Sequence, residues 1–133
     1  MEFHIEGRAK PKAFITALLP SMLEQLKLTK SKKLLQIILD PSIEELGTTI
    51  PLNGLNTYLV VIKPTRDLMS LGATLAHELT HVAQFAKGTL KLTPKGKRWK
   101  GKYYGRNVPY LSQPWEIQAF AQQEIVFRRA IEQ

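Results

Sequence analysis

The sequence contains no cysteine in its 133 residues. This absence excludes structural disulfides and any zinc ribbon built from cysteine ligands. No apolar run approaches the length of a membrane span, and residues 1–6 lack the basic-then-apolar pattern of a signal peptide. These absences predict a cytoplasmic protein that does not contact a membrane.

Acidic residues are missing from one long segment. Between Lys87 and Trp115 the chain has eight basic residues and no acid. The eight are Lys87, Lys91, Lys95, Lys97, Arg98, Lys100, Lys102 and Arg106. Outside this segment basic and acidic residues are equal in number, so the segment accounts for the whole net charge of +8.

The length and the apolar content of 44% indicate one globular domain over residues 1–133. Apolar residues at spacings of three and four predict a helix over 11–28, which Pro20 should kink or split. Apolar runs predict strands at 33–39 and 57–62. Two or three strands lying between helices predict a small α+β domain.

The residues that directly follow the predicted strand at 33–39 have the pattern of a helix start. Asp40-Pro41 has the form of a helix cap with proline in the first turn, so residues 42–46 are expected to form a helical turn that ends at Gly47.

The central helix is predicted over residues 67–87, and its side chains separate into two faces. The apolar face consists of Leu68, Leu71, Leu75, Leu79, Val82 and Ala86. The opposite face consists of Ser70, Thr74, His77, His81 and Gln84. The sequence therefore predicts a helix anchored by one face that presents the other face, with both histidines.

The histidines carry the chemistry of this helix. His77 and His81 are four residues apart, so both imidazoles can hold one metal ion. Glu78 projects about a quarter-turn away and can reach a metal-bound water, which is the division of roles in zinc-dependent peptide hydrolysis. The alternative is a pair of solvent-facing histidines that match the motif by chance.

A last helix is predicted to begin near residues 112–114 and to run towards the C-terminus. Its inward stripe is Ala119, Phe120, Val126, Phe127 and Ala130. Glu116 falls within that stripe, where a carboxylate is costly unless it is paired or binds a metal. Glu116 is therefore the candidate third ligand, and the alternative is a helix-terminal charge or a buried ion pair. Glu124 and Glu132 are weaker candidates.

The run His77-Glu78-Leu79-Thr80-His81-Val82-Ala83-Gln84, followed by Pro114-Trp115-Glu116-Ile117-Gln118-Ala119, resembles the small zincin metallopeptidases of the gluzincin type. It is most similar to compact bacterial and phage-encoded metallopeptidases, loosely grouped with SprT-like proteins, over residues 68–121. The resemblance implies a zincin-like (minigluzincin) fold, Zn²⁺ held by His77, His81 and Glu116, and Glu78 as catalytic base. It also implies that the strand before the active-site helix, here residues 57–62, aligns peptide substrate.

The chain departs from this family at two positions near the third ligand. Phe120 stands where larger gluzincins carry an aspartate that supports a ligating histidine. Gln118 stands where many small relatives have an acid. The resemblance therefore leaves the partners that support the ligands unspecified.

The basic segment is predicted to be a long loop over residues 88–113, with some strand character at 98–104. Four of its residues could stabilise a developing oxyanion: Tyr103, Tyr104, Arg106 and Tyr110. Six could contact nucleic acid or substrate: Lys95, Lys97, Arg98, Trp99, Lys100 and Lys102. The alternatives are a mobile solvated loop and a surface that selects acidic proteins.

Taken together, these patterns predict a zinc-dependent endopeptidase that acts on a peptide or protein substrate. The competing prediction is a non-catalytic module that binds nucleic acid or protein through the basic loop, with a structural or vestigial metal site.

Overall fold

The computed structural model describes residues 1–132. The first half of the chain contains strand β1 (Glu2–Glu6), helix α1 (Ala9–Gln25) and strands β2 (Leu34–Leu39), β3 (Gly47–Leu52) and β4 (Thr57–Ile62). The second half contains helix α2 (Leu68–Ala86), strands β5 (Leu90–Thr93), β6 (Gly96–Trp99) and β7 (Lys102–Gly105), and helix α3 (Pro114–Ile131). Short 3₁₀ turns lie at Asn53–Leu55 and Tyr110–Ser112. The predicted α+β class is confirmed.

The first sheet has the strand order β1-β2-β4-β3. Strands β1, β2 and β4 are parallel, while β3 pairs antiparallel with β4 and forms one edge. In β2 and β4 alternate residues are buried, as their apolar sequences require. The two predicted strands are confirmed. The edge strands β1 and β3 were not predicted, because edge strands need less apolar sequence.

The predicted helical turn over residues 42–46 is wrong. The Asp40 carboxylate accepts hydrogen bonds from the backbone nitrogen of Ser42 at 2.8 Å and from its hydroxyl at 2.6 Å. Aspartate here closes a turn, which is the other structure that a short acidic side chain favours. Residues 43–46 then lead into β3 without forming a helix.

Helix α1 is continuous, with Pro20 inside it, so the prediction of a helix there is confirmed and the alternative that proline splits it is wrong, while the kink stays a prediction. Leu19 and Met22, on either side of Pro20, are fully buried in the main core. Because both flanks are held by packing, the helix continues across the hydrogen bond that proline cannot donate.

Helix α2 begins after Asp67, whose carboxylate accepts a hydrogen bond from the Met69 backbone nitrogen at 3.0 Å. Its apolar face packs into the main core. A Cβ on Gly72 would lie only 2.2 Å from a ring carbon of Phe127 in α3. Glycine at this position therefore permits the close contact between α2 and α3 on which the site depends. Within residues 1–132, no helix has both the length and the apolarity to cross a membrane.

Strands β5, β6 and β7 form a second, antiparallel sheet in chain order. Lys100 and Gly101 both have positive φ and form the two-residue turn between β6 and β7. The predicted strand character at 98–104 is confirmed, and the prediction of a loop is wrong for the rest of residues 90–105, where Pro94 and Gly101 lie in the turns between short strands. Leu90, Trp99 and Trp115 form a small apolar cluster separate from the main core.

Candidate metal centre

Helices α2 and α3 bring the three predicted ligands together. His77 Nε2 lies 2.9 Å from Glu116 Oε1, and His81 Nε2 lies 3.1 Å from the same oxygen. All three potential ligand atoms lie within 4.8 Å of one another. Glu124 and Glu132, the weaker candidates, are exposed and lie outside this group. Two nitrogens and one carboxylate oxygen form a donor set that suits a divalent metal ion.

The sequence predicted that the polar face of α2 is presented to solvent. The structure shows that the two histidines on this face are buried. His77 and His81 are each 7% exposed, and Glu116 is 9% exposed. The alternative of solvent-facing histidines is therefore wrong. These residues line a cleft of about 470 Å³ that also includes Glu78, Thr49 and Tyr110.

A buried amide sets the orientation of His81. Gln84 Nε2 donates to the backbone carbonyl of Trp115 at 3.0 Å, and that carbonyl can only accept. The Gln84 oxygen therefore faces His81 Nδ1, 2.7 Å away, and Nδ1 must be the donor. This bond directs Nε2 towards Glu116 and leaves Nε2 of the neutral ring as the nitrogen that can bind a metal.

The Nδ1 atom of His77, like that of His81, faces the side-chain oxygen of a glutamine, here on α3. His77 Nδ1 lies 2.8 Å from Gln123 Oε1. Gln118 accepts a hydrogen bond from Gln84 Nε2 at 2.9 Å. The supporting partners that the resemblance left unspecified are thus glutamines. Gln123 follows Glu116 by two helical turns, and this spacing is the signal that could have identified it.

Strand β3 holds Glu78. The Thr49 hydroxyl donates to Glu78 Oε1 at 2.7 Å and also lies 3.1 Å from the Glu78 backbone carbonyl. A Cβ on Gly47 would lie 2.9 Å from Glu78 Cγ, so glycine leaves room for this side chain. Burial raises the pKa of Glu78, and the bond from Thr49 only partly opposes it. Glu78 therefore has a greater affinity for a proton than an exposed glutamate.

Opposite charges face each other in this centre. Burial alone would raise the pKa of Glu116, but the bonds from His77 and His81 outweigh it and hold that pKa well below its usual range. Burial would lower the pKa of His77, but its bonds to Glu116 and Gln123 outweigh this effect and raise the pKa. The His77 ring therefore holds a proton more tightly than an exposed histidine does.

Of the four predicted oxyanion donors, only Tyr110 lines the cleft. Its hydroxyl donates to Glu116 Oε1 at 3.0 Å, and burial together with that carboxylate raises the Tyr110 pKa to about 12. Phe120 is 45% exposed, so its assignment to the inward stripe is wrong. Its ring lies 4.6 Å from the His77 ring and forms part of the cleft wall.

The other three predicted donors belong to the second sheet and its end. Tyr103 donates to the Lys95 carbonyl at 3.0 Å, and Arg106 donates to the Pro94 carbonyl at 2.8 Å. The Tyr104 ring packs edge-on against Trp115, with their centroids 5.6 Å apart. None of the three lines the cleft, so their assignment as oxyanion donors is wrong.

The six predicted contact residues divide into three groups. Trp99 was predicted to contact nucleic acid or substrate. It is only 7% exposed and packs in the small apolar cluster with Leu90 and Trp115, so it cannot stack on a base. Lys97 lines the cleft, with its ammonium 5.0 Å from the centroid of the Trp115 ring. The remaining four are exposed: Lys95, Arg98, Lys100 and Lys102.

The strand predicted to align substrate is the wrong one. Strand β4 pairs with β2 on one side and β3 on the other, so it has no free backbone edge. Strand β3 is an edge strand with a free backbone edge, and its residues Gly47, Thr48 and Thr49 line the cleft. An extended chain could therefore pair with β3 at this site.

Comparison of the chain with protein-family models, curated proteins and solved structures found no match.

Proposed function

We propose that this chain is a zinc-dependent endopeptidase with a zincin-like fold. The observation that carries the proposal is the convergence of His77 Nε2, His81 Nε2 and Glu116 Oε1 in a cleft that Glu78 also lines. Two imidazoles and one carboxylate are the protein ligands of catalytic zinc sites that keep one position open. Held by these residues, zinc would polarise a substrate carbonyl and lower the pKa of a coordinated water to about 7.

Glu78 acts as the general base. It accepts a proton from the attacking water and passes it to the leaving amine, a role worth about 10² to 10⁴ in rate. A raised pKa suits both transfers, because a carboxylate with greater proton affinity is the better base near neutral pH. Thr49 holds one carboxylate oxygen, so the transfers use the other oxygen.

Tyr110 and β3 provide the remaining contacts. With a pKa of about 12, the Tyr110 hydroxyl stays protonated at neutral pH and can donate to the oxyanion that forms during attack. The free edge of β3 pairs with the backbone of an extended substrate and directs it along the cleft. Both contacts recognise backbone or carbonyl groups, as a peptidase requires.

The test combines metal analysis with cleavage of a defined peptide mixture, followed by mass spectrometry. The zinc-loaded protein should cleave the mixture. Glu78→Gln should lower the rate by about 10² to 10⁴ while the zinc content stays at one ion per chain. Glu124→Gln, the same change at an exposed site on α3, is the matched control. Full activity in Glu78→Gln, or a wild-type protein that binds no metal, would contradict the proposal.

A second candidate function is nucleic-acid binding by a non-catalytic module. It is favoured by one observation, which is that Lys91, Arg98 and Tyr103 are direct cross-strand partners on β5, β6 and β7 and are all exposed. Such a row can contact phosphates and stack a base. Fluorescence anisotropy with single-stranded oligonucleotides at increasing salt tests it. Absence of binding at low salt dismisses it, while unfolding on chelation would assign the metal a structural role.

A further inference from the structure

We propose that a second pocket, next to the metal cleft, binds a carboxylate group of the peptide substrate. The pocket has a volume of about 350 Å³ and lies between the second sheet and the start of α3. The identification of the ligand as a substrate rests on the proposed peptidase function. The buried donors and the positive charges that favour an anion in the pocket do not depend on that function.

Two residues that line the pocket each have a buried polar atom without a partner. Trp115 is 2% exposed, and its Nε1 is buried without a hydrogen bond. Thr93 Oγ1 is buried and unpartnered in the same way. Both residues line the pocket. An indole N–H can only donate, and leaving it unpaired costs free energy, so the missing partner is an acceptor.

The charges around the pocket are of one sign. Lys97 and Arg106 line it, and among residues 1–132 no carboxylate lies within 4.0 Å of either charged group. Gln113, the N-cap residue of the 18-residue helix α3, lines it as well and makes no side-chain cap. The positive end of the helix therefore adds to two unpaired cations. The acceptor that fits this pocket is an anion.

The position of the pocket connects it with the cleft. Lys97 and Trp115 line both, and Trp115 directly precedes the candidate ligand Glu116. A peptide lying in the cleft can therefore place an acidic group in the pocket. The groups with this chemistry on a peptide are the side chains of aspartate and glutamate and the free C-terminus. A carboxylate offers two oxygens, which suit a neutral donor on one side and a cation on the other.

The test follows the indole N–H signals by NMR in the Glu78→Gln protein, so that no probe is hydrolysed. The chain has two tryptophans, and Trp115→Phe identifies the signal of Trp115. Three probes are titrated: N-acetyl-glutamate amide with a side-chain carboxylate, N-acetyl-alanine with a C-terminal one, and neutral N-acetyl-glutamine amide. At least one acid should move the Trp115 signal in a saturable way, while the Trp99 signal stays in place and the neutral amide has no effect.

Matched variants test the two cations. Lys97→Ala and Arg106→Ala should each weaken binding of the active probe by about 10-fold or more, because each removes a charged partner of the carboxylate. Lys91→Ala and Arg98→Ala remove the same charges from the same sheet but do not line the pocket, so affinity should remain near that of the parent. The acid that binds identifies the source of the carboxylate.

Three results would overturn the proposal. They are the absence of any saturable shift with either acid, equal weakening by the pocket variants and the control variants, and a response to a single-stranded oligonucleotide alone. Failure of the peptidase proposal is distinguishable from these. If the protein cleaves no peptide but still shows the Trp115 response, the pocket proposal stands and the peptidase proposal is contradicted. If the protein cleaves peptide without the Trp115 response, the peptidase proposal stands and the pocket proposal is contradicted.

Discussion

The two faces of helix α2 are both buried, for opposite reasons. On one face Leu71, Leu75, Leu79 and Val82 are almost fully buried among other apolar residues of the main core. On the other face, in the cleft, His77, His81 and Gln84 are nearly as inaccessible, and their polar atoms have partners on α3 or, for His81 Nδ1, on α2 itself. The apolar face is stabilised by the hydrophobic effect, while the polar face tolerates burial because its groups are hydrogen-bonded. One face should therefore govern stability, and the other should govern metal affinity.

The largest effect is expected on the apolar face. Leu75→Ala leaves a cavity at a fully buried position, so the free energy of unfolding should fall by about 2–5 kcal/mol in urea denaturation. Met69→Ala, at an exposed position on the same helix, should change it by less than about 0.5 kcal/mol. Metal affinity of the folded Leu75→Ala protein should match that of the parent. A large loss of metal affinity would mean that the two faces are not separable.

The next effect concerns the polar face. Gln84→Met keeps the side-chain length but removes the acceptor that holds His81 Nδ1. Metal affinity, measured by competition with a chelator, should fall by about 10- to 100-fold, as for other losses of a bond supporting a ligand. Gln122→Met makes the same change at an exposed position on α3 and should leave affinity intact. Equal affinities in the two variants would show that Gln84 does not orient the ring.

The smallest effect is a dependence of stability on pH in the metal-free protein. The pKa of His77 is raised above its ordinary value of 6.5 by its bonds to Glu116 and Gln123, despite burial. A raised pKa means that the folded state binds the proton more tightly. The contribution to stability is therefore fully present below pH 6.5 and is lost as pH rises through the raised pKa.

Urea denaturation with a chelator from pH 6 to 9 should show this loss, at no more than about 1.4 kcal/mol per pH unit for one proton. His77→Gln should remove that part of the slope. Metal should reverse the trend for the parent, because a metal needs the neutral imidazole and binds more tightly as pH rises. Stability of the metal-free protein that increased over this range would contradict the assignment to His77.

Local spacing accounts for the parts of the centre that were predictable from sequence. His77 and His81 share a face because they are four residues apart on one helix, and Glu116 was found because a carboxylate interrupts an apolar stripe. Thr49 and Gln123 were missed, since neither interrupts a pattern. Thr49 lies on an edge strand of weak apolar character, and its contact with Glu78 spans 29 residues of chain.

The second sheet shows the same limit. Its charge was evident from the sequence, but short strands separated by glycine and proline resemble a loop, because each has only four residues. The exposure of its side chains could not be derived from composition. Trp99 is buried and Tyr103 is exposed, although the sequence predicted Trp99 to be the exposed contact residue. Neighbouring residues of a strand point to opposite sides of the sheet, so the strand register decides which side chains are buried and which are exposed.

The sequence by itself determined the three helices, the two central strands, the shared face of the histidines and the location of the positive charge. These properties depend on residues close together in the chain, so the helix and strand periods reveal them. The tertiary structure alone decided that the polar face is buried, that β3 and not β4 has the free edge, and that glutamines orient the ligands. These depend on contacts between distant segments, which no local period records.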